Sequence, residues 1–227
     1  MCGEQERPLQ FDQPWALQFV NMSTKILTSY MQEMATGLTE TWIEMHDAAQ
    51  RQRVPGALLF LIGMPAVGKT WWGKEAAKVY GLSFTDLDSY IEEREGATIA
   101  ELFERYGEAG FRDKEHGYLT SAIAGADLPG IIGCGGGTPC FHNNLQVMKE
   151  SGSVIYLQAD VPYLLTHIAD SSSDRPLLRD QQNLRTYLEE LLAQRRYVYE
   201  QAHYILDAKN VSIITFEEII TTCSNRR

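Results

Sequence analysis

The run LLFLIGMPAVGKTWWGKEAA, from Leu58 to Ala77, constrains this chain more than any other stretch. A short continuous apolar segment, as expected of a strand buried on both faces, passes directly into Gly63-Met64-Pro65-Ala66-Val67-Gly68-Lys69-Thr70. Those eight residues fit G-x-x-x-x-G-K-[ST], and a helical pattern follows them. Gly63 and Gly68 permit backbone torsions and a close approach that a Cβ would obstruct. The loop amides and the helix start then face phosphate oxygens. Lys69 can neutralise β- and γ-phosphate charge, and the Thr70 hydroxyl can ligate Mg²⁺. Strand, loop and helix in this order imply a nucleoside triphosphate site.

The remainder of the chain extends the same theme. Helical stretches alternate with the short apolar runs GLSFTDLD, PGIIGCGGG, GSVIYLQA and AHYILDA. With ALLFLIG these make five strands, and strands spaced by helices imply parallel pairing with right-handed crossovers. The polar stretch DSSSDRPLLRDQQN reads as a surface loop between two helices. Ahead of this body, apolar residues at Trp15, Phe19, Met22, Ile26, Tyr30 and Met34 follow helical steps of three or four. RVPG, from Arg53 to Gly56, reads as a linker. The expected organisation is an N-terminal helical extension over 1–54 and a nucleotide-binding domain over 55–227.

Composition narrows the partners. At 227 residues and 44% hydrophobic, the chain can bury one good-sized core. A net charge of −10 argues against general binding to nucleic acid or an anionic membrane. Cys2, Cys134, Cys140 and Cys223 form no CxxC pair, and the five histidines show no metal-ligand spacing. Free thiols, no basic leader before an apolar run and no apolar span of ~18 residues make a cytoplasmic protein the expectation. Cys134 is expected to be a small core residue, and the histidines surface or helix-end residues.

Further motifs follow the strands. Thr85-Asp86-Leu87-Asp88 closes the second apolar run, where ligands collect in open parallel sheets. Taken alone, Asp88 before SYIEE also fits an acidic helix cap. Arg112 lies in a helical pattern, where an isolated arginine is ordinarily solvated. Gly135-Gly136-Gly137 lets a ligand approach bare backbone, though a plain flexible turn fits as well.

Taken in order, the phosphate loop, TDLDSYIEEREGATIAELFERYGEAGFRDKE, GGGTP, DRPLL and RRYVYEQA resemble the shikimate kinase family from about Leu58 to Ile220. The resemblance implies a three-layer αβα P-loop fold with a five-stranded parallel sheet and a lid near 170–182. It implies phosphorylation of the shikimate 3-hydroxyl by ATP with Mg²⁺. Nucleotide would lie on Ala66, Val67, Gly68, Lys69, Thr70 and Trp71, with Arg175 reaching the phosphates from the lid. Metal would lie at Thr70 and Asp86. Shikimate would be held by Asp88, Arg112, Gly136, Gly137 and Arg195, with Arg196 the alternative to Arg195. Lys69, Asp88 and Arg175 would carry the catalysis. Such a domain is expected to be monomeric, with the extension open as an accessory helix pair, a self-association segment or a disordered tail. A gluconate-type kinase and a non-catalytic shikimate or nucleotide sensor are the competing readings.

Three positions depart from the family pattern. Ala66 stands where a third loop glycine is usual, and Trp71 replaces a hydroxyl residue after Thr70. No arginine appears among Thr166, His167, Ile168 and Ala169, where one usually packs on adenine. Trp71 and Trp72 are expected to pack in or around the core rather than stack on a ligand.

Overall fold

The structure is a computed structural model and describes residues 58–170 and 181–224. The N-terminal stripe, the proposed linker, Arg175 and most of the expected lid lie outside the described residues. Five strands form one all-parallel sheet: β1 (Leu58–Ile62), β2 (Ser83–Asp86), β3 (Gly130–Gly133), β4 (Ser153–Gln158) and β5 (Tyr204–Asp207). Their order across the sheet is β2-β3-β1-β4-β5. Among the described residues the helices are α1 (Lys69–Tyr80), α2 (Leu87–Glu95), α3 (Ile99–Ala124), α4 (Asn144–Ser151), α5 (Val161–Asp170), α6 (Gln181–Tyr199) and α7 (Ile213–Ser224). None of them is long and apolar enough to cross a membrane.

The apolar runs predict the strands because central parallel strands are covered on both faces. Every residue of β1 and β3 is buried, as are the middle four of β4. Phe60, Leu61, Ile62, Leu157 and Ile155 are fully buried, each contributing about 2 kcal/mol of hydrophobic stabilisation. The edge strands β2 and β5 are only partly covered, since each has a neighbour on one side alone.

Local signals set the helix ends. Thr98 and Glu101 form a reciprocal capping box at the start of α3, with Glu101 N donating to Thr98 Oγ1 and Thr98 N to Glu101 Oε2. Asp86, not Asp88, caps α2: its carboxylate accepts from Ser89 N at 3.3 Å. The cap reading of Asp88 is thereby corrected, and its side chain, in the first turn, is left available to the cleft. Gly107 breaks the helical torsions within α3 at φ 66°, so the segment carrying Arg112 takes its own direction.

All the loops that matter leave the carboxyl ends of strands. The phosphate loop follows β1, Asp86 ends β2, and the three glycines follow β3. Because β2, β3 and β1 are consecutive in the sheet, these three segments converge at one rim.

Candidate active site

The phosphate loop is shaped by its torsions. Gly63 and Gly68 have φ of 141° and 96°, conformations open to glycine and strained for other residues. Ala66 also sits in left-handed space, at φ 63°, which explains why glycine is usual there. The Lys69 ammonium lies back across the loop and donates to Gly63 O at 3.0 Å and Met64 O at 2.9 Å. Burial pulls its pKa from 10.5 down to about 8, opposed by the nearby Asp88, Cys134 and Asp86.

At the start of α1, Thr70 Oγ1 donates to Asp86 Oδ2 at 2.8 Å. A hydroxyl and a carboxylate oxygen side by side are the hard donors that Mg²⁺ selects. No cluster of three or more histidine, cysteine or acidic side chains able to hold a metal occurs among the described residues.

A cleft of about 320 Å³ runs from Pro65, Lys69 and Thr70 to Asp86, Asp88 and Gly136. A second, of about 180 Å³, is lined by Asp88, Arg112, Glu115, Gly136, Gly137 and Arg195 among others. The two share Pro65, Asp88, Gly135 and Gly136, so Asp88 stands on the wall between them. Burial raises the Asp88 carboxyl from 3.8 to about 6, helped by repulsion from Asp86 and Glu115 and opposed by Lys69.

Arg112 is not a solvated arginine. It is 6% exposed and pairs through Nη1 with Glu115 Oε2 at 2.7 Å. Its guanidinium carbon lies 4.4 Å from the Phe141 ring centroid, and Phe103 and Phe111 also flank it. Its Nε is buried without a hydrogen-bond partner. A buried cation lining a cleft is suited to an incoming anion. A Cβ on Gly137 would overlap this guanidinium, and one on Gly136 would lie 3.2 Å from Arg195 Nη1. The glycines are therefore no plain turn; they let two arginines close on one backbone.

Arg195 and Arg196 are adjacent in sequence and part in space. Arg195 lines the second cleft, whereas Arg196 Nε bonds Glu200 Oε1 at 2.6 Å and faces a separate hollow by β4 and β5. Four residues after Arg195, the buried Tyr199 hydroxyl donates to Gly136 O, tying α6 to the glycine loop.

Several supporting residues escaped sequence reasoning. Glu115, 1% exposed, takes Arg112 on one oxygen and the Thr138 hydroxyl on the other at 2.6 Å. Asn144 Nδ2 donates to Thr138 O at 2.8 Å, and its Oδ1 meets His116 Nδ1 at 2.6 Å. Only Glu115 had a readable signal, its i,i+3 spacing from Arg112 on one helix face. His116 is accordingly half-buried in a polar chain and no plain surface residue, whereas His203 is exposed as expected, its Nδ1 accepting from Val154 N at 3.0 Å. Cys134 is a buried core residue whose thiol burial pushes upward, away from thiolate chemistry. Trp72 packs as expected, stacked on Phe216 at 5.8 Å. Trp71 does not: it is 59% exposed.

A phosphate loop opening onto a cleft that holds a carboxylate, two arginines and bare backbone defines a small-molecule kinase of the P-loop class. A family model described as "Shikimate kinase" matches residues 65–224. A shikimate kinase of Parabacteroides distasonis is 37% identical over 155 residues, covering 67% of this chain and 88% of the relative. One of Alkaliphilus oremlandii is 40% identical over 162 residues, covering 71% and 94%. Among solved structures, the shikimate kinase of Bacteroides thetaiotaomicron superposes with a TM-score of 0.69 at 31% identity, covering 73% of this chain and 98% of that one. That of Acinetobacter baumannii, solved in complex with shikimate, gives 0.67 at 28% identity, covering 78% and 98%. The chain belongs to the shikimate kinase family.

Proposed function

We propose that the protein transfers the γ-phosphoryl group of ATP to the 3-hydroxyl of shikimate, yielding 3-phosphoshikimate and ADP. The observation that carries this reading is the shared wall at Asp88: one cleft fits a triphosphate, the next an acid, and a carboxylate stands between them. In the step, a bond forms between the acceptor oxygen and the γ-phosphorus. The bond from γ-phosphorus to the β,γ-bridging oxygen breaks, ADP leaves, and the hydroxyl proton passes to Asp88.

Each residue's part follows from its surroundings. Arg112 and Arg195, which both line the second cleft, bind the substrate carboxylate, Arg195 from across Gly136. Gly136 and Gly137 offer backbone to the ring hydroxyls. Asp88 orients the attacking hydroxyl; with a pKa of about 6 it is mostly ionised at pH 7 yet basic enough to take a proton. Loop residues Ala66, Val67, Gly68, Lys69, Thr70 and Trp71 present amides to the phosphates, and Lys69 balances their charge. Thr70 and Asp86 would hold Mg²⁺, which draws charge from the phosphates when bound. The family resemblance assigns Arg175 to the phosphates as well. Catalysis in this arrangement is chiefly alignment and charge stabilisation. Residues 55–227 form the catalytic domain in this reading, monomeric and cytoplasmic, with 1–54 outside the chemistry.

A coupled ADP-release assay with ATP and Mg²⁺ tests the proposal on the full chain. Release that depends on shikimate, with the product identified as the 3-phosphate, is the expected result. Turnover of gluconate but not shikimate would replace the acceptor. No turnover of either would favour a binding protein on the same fold.

A further inference from the structure

The phosphate loop continues into an aromatic tier that phosphate binding does not use. Trp72, one turn into α1, packs beneath the loop: a Cβ on Gly68 would lie 3.4 Å from Trp72 Cδ1. Its other side stacks on Phe216 of α7, with ring centroids 5.8 Å apart and planes 23° apart. Trp71 and Trp72 meet edge to face, at 4.5 Å and 83°. Held by this contact, the Trp71 indole leaves 59% of the residue open to solvent. An aromatic ring held partly open directly after the Thr70 hydroxyl is available to stack on a bound group.

Direction identifies what covers it. The acceptor cleft lies on the Asp88, Arg112 and Arg195 side of the phosphate loop. Transfer requires the γ-phosphate to face that cleft, so the α-phosphate and nucleoside must leave from the opposite end of the triphosphate. Thr70 turns toward Asp86 at the end of β2, one edge of the sheet. The Trp71–Trp72–Phe216 tier leads to α7, which follows β5 at the other edge. The nucleoside end of the donor therefore emerges toward the tier, where Trp71 presents the open ring.

We infer that Trp71 is the stacking platform for the nucleoside of the phosphoryl donor and a determinant of nucleotide affinity. This rests on the reading of the site as a kinase. Because stacking uses the face of the base and not its hydrogen-bonding edge, Trp71 supports adenine and guanine nucleotides alike.

Calorimetry on the full chain, comparing the parent with Trp71→Ala and Trp71→Phe, separates base from phosphate. ATP, GTP and inorganic tripolyphosphate are the probes, each with Mg²⁺. Trp71→Ala should weaken ATP and GTP by roughly ten-fold or more, the size of one lost stacking contact. Trp71→Phe, which keeps a ring, should recover most of that loss. Tripolyphosphate, having no base, should bind all three proteins equally. In turnover, the loss should appear in KM for ATP to a greater extent than in kcat. Unchanged ATP binding by Trp71→Ala overturns the inference, as does a parallel loss for tripolyphosphate, which would mean the loop itself had shifted. A parent that binds ATP through Trp71 but leaves shikimate untouched would strike the proposed function and spare this inference. A parent that binds no ATP would sink both.

Discussion

At neutral pH the Asp88 carboxylate is kept half-buried, with Asp86, Glu115 and Glu92 repelling it and Lys69 its opposing charge. Asp88→Asn removes the charge and nearly preserves the shape, so it should stabilise the fold while disabling it. A pKa raised from 3.8 to about 6 is equivalent to about 3 kcal/mol between the two protonation states. Solvent screening of a partly open site reduces that to about 1–3 kcal/mol. The sign follows from proton counting. Folded protein keeps this proton up to about pH 6, whereas the unfolded chain loses it near 3.8, so ionisation costs stability across that window. Urea denaturation at pH 7.5 should therefore show the variant more stable by about 1–3 kcal/mol, or several degrees in Tm for a domain of this size. At pH 4 both carboxyl and amide are neutral, and the advantage should largely vanish. Turnover should drop by about 10²–10⁴-fold with loss of the orienting base. A variant less stable than the parent at pH 7.5, or equally stabilised at both pH values, would refute the view of Asp88 as a charge held against its environment for chemistry.

Arg112→Ala should weaken shikimate binding by about 2–5 kcal/mol and also destabilise the fold, since Glu115 would be left as an unpaired buried charge. Arg195→Ala should raise KM for shikimate with a smaller loss of stability, and Arg196→Ala, whose partner is Glu200 on the surface, should do neither; kinetics with denaturation on all three check this. ATP affinity should hold up to about pH 8 and then fall by up to ten-fold per pH unit, because the free protein's Lys69 deprotonates there and the phosphates need its charge; calorimetry at pH 7 and pH 9 measures it. Ala66→Gly should relieve a left-handed alanine, a gain of about 1–2 kcal/mol offset by about 0.4–1 kcal/mol of unfolded-state entropy, so Tm should rise slightly.

What the sequence reveals about this fold depends on how far apart in the chain the interacting residues lie. Features confined to adjacent residues were legible. The apolar runs marked all five strands, because a parallel sheet covered on both faces needs continuous hydrophobic segments. Loop chemistry at Gly63 to Thr70 was equally plain, since glycine, lysine and threonine act there through short-range geometry. The family resemblance implies roles for Asp88, Arg112 and Arg195, and the structure brings the three to the wall of one cleft.

Other assignments depended on what lies across the fold. An arginine in a helix reads as solvated until Phe141 and Glu115 are seen enclosing it. No spacing distinguishes Arg195 from Arg196; the helix turns one into the cleft and the other toward Glu200. Trp71 looked like a core residue because tryptophan is apolar, yet α1 buries Gly73, Ala76 and Ala77 instead. By itself, the sequence determined a phosphate loop at the end of a buried parallel strand, because that architecture is written in contiguous residues. Only the tertiary structure decided which cations share a pocket, which acid caps a helix and which lines the cleft, because burial and charge pairing depend on neighbours far away along the chain.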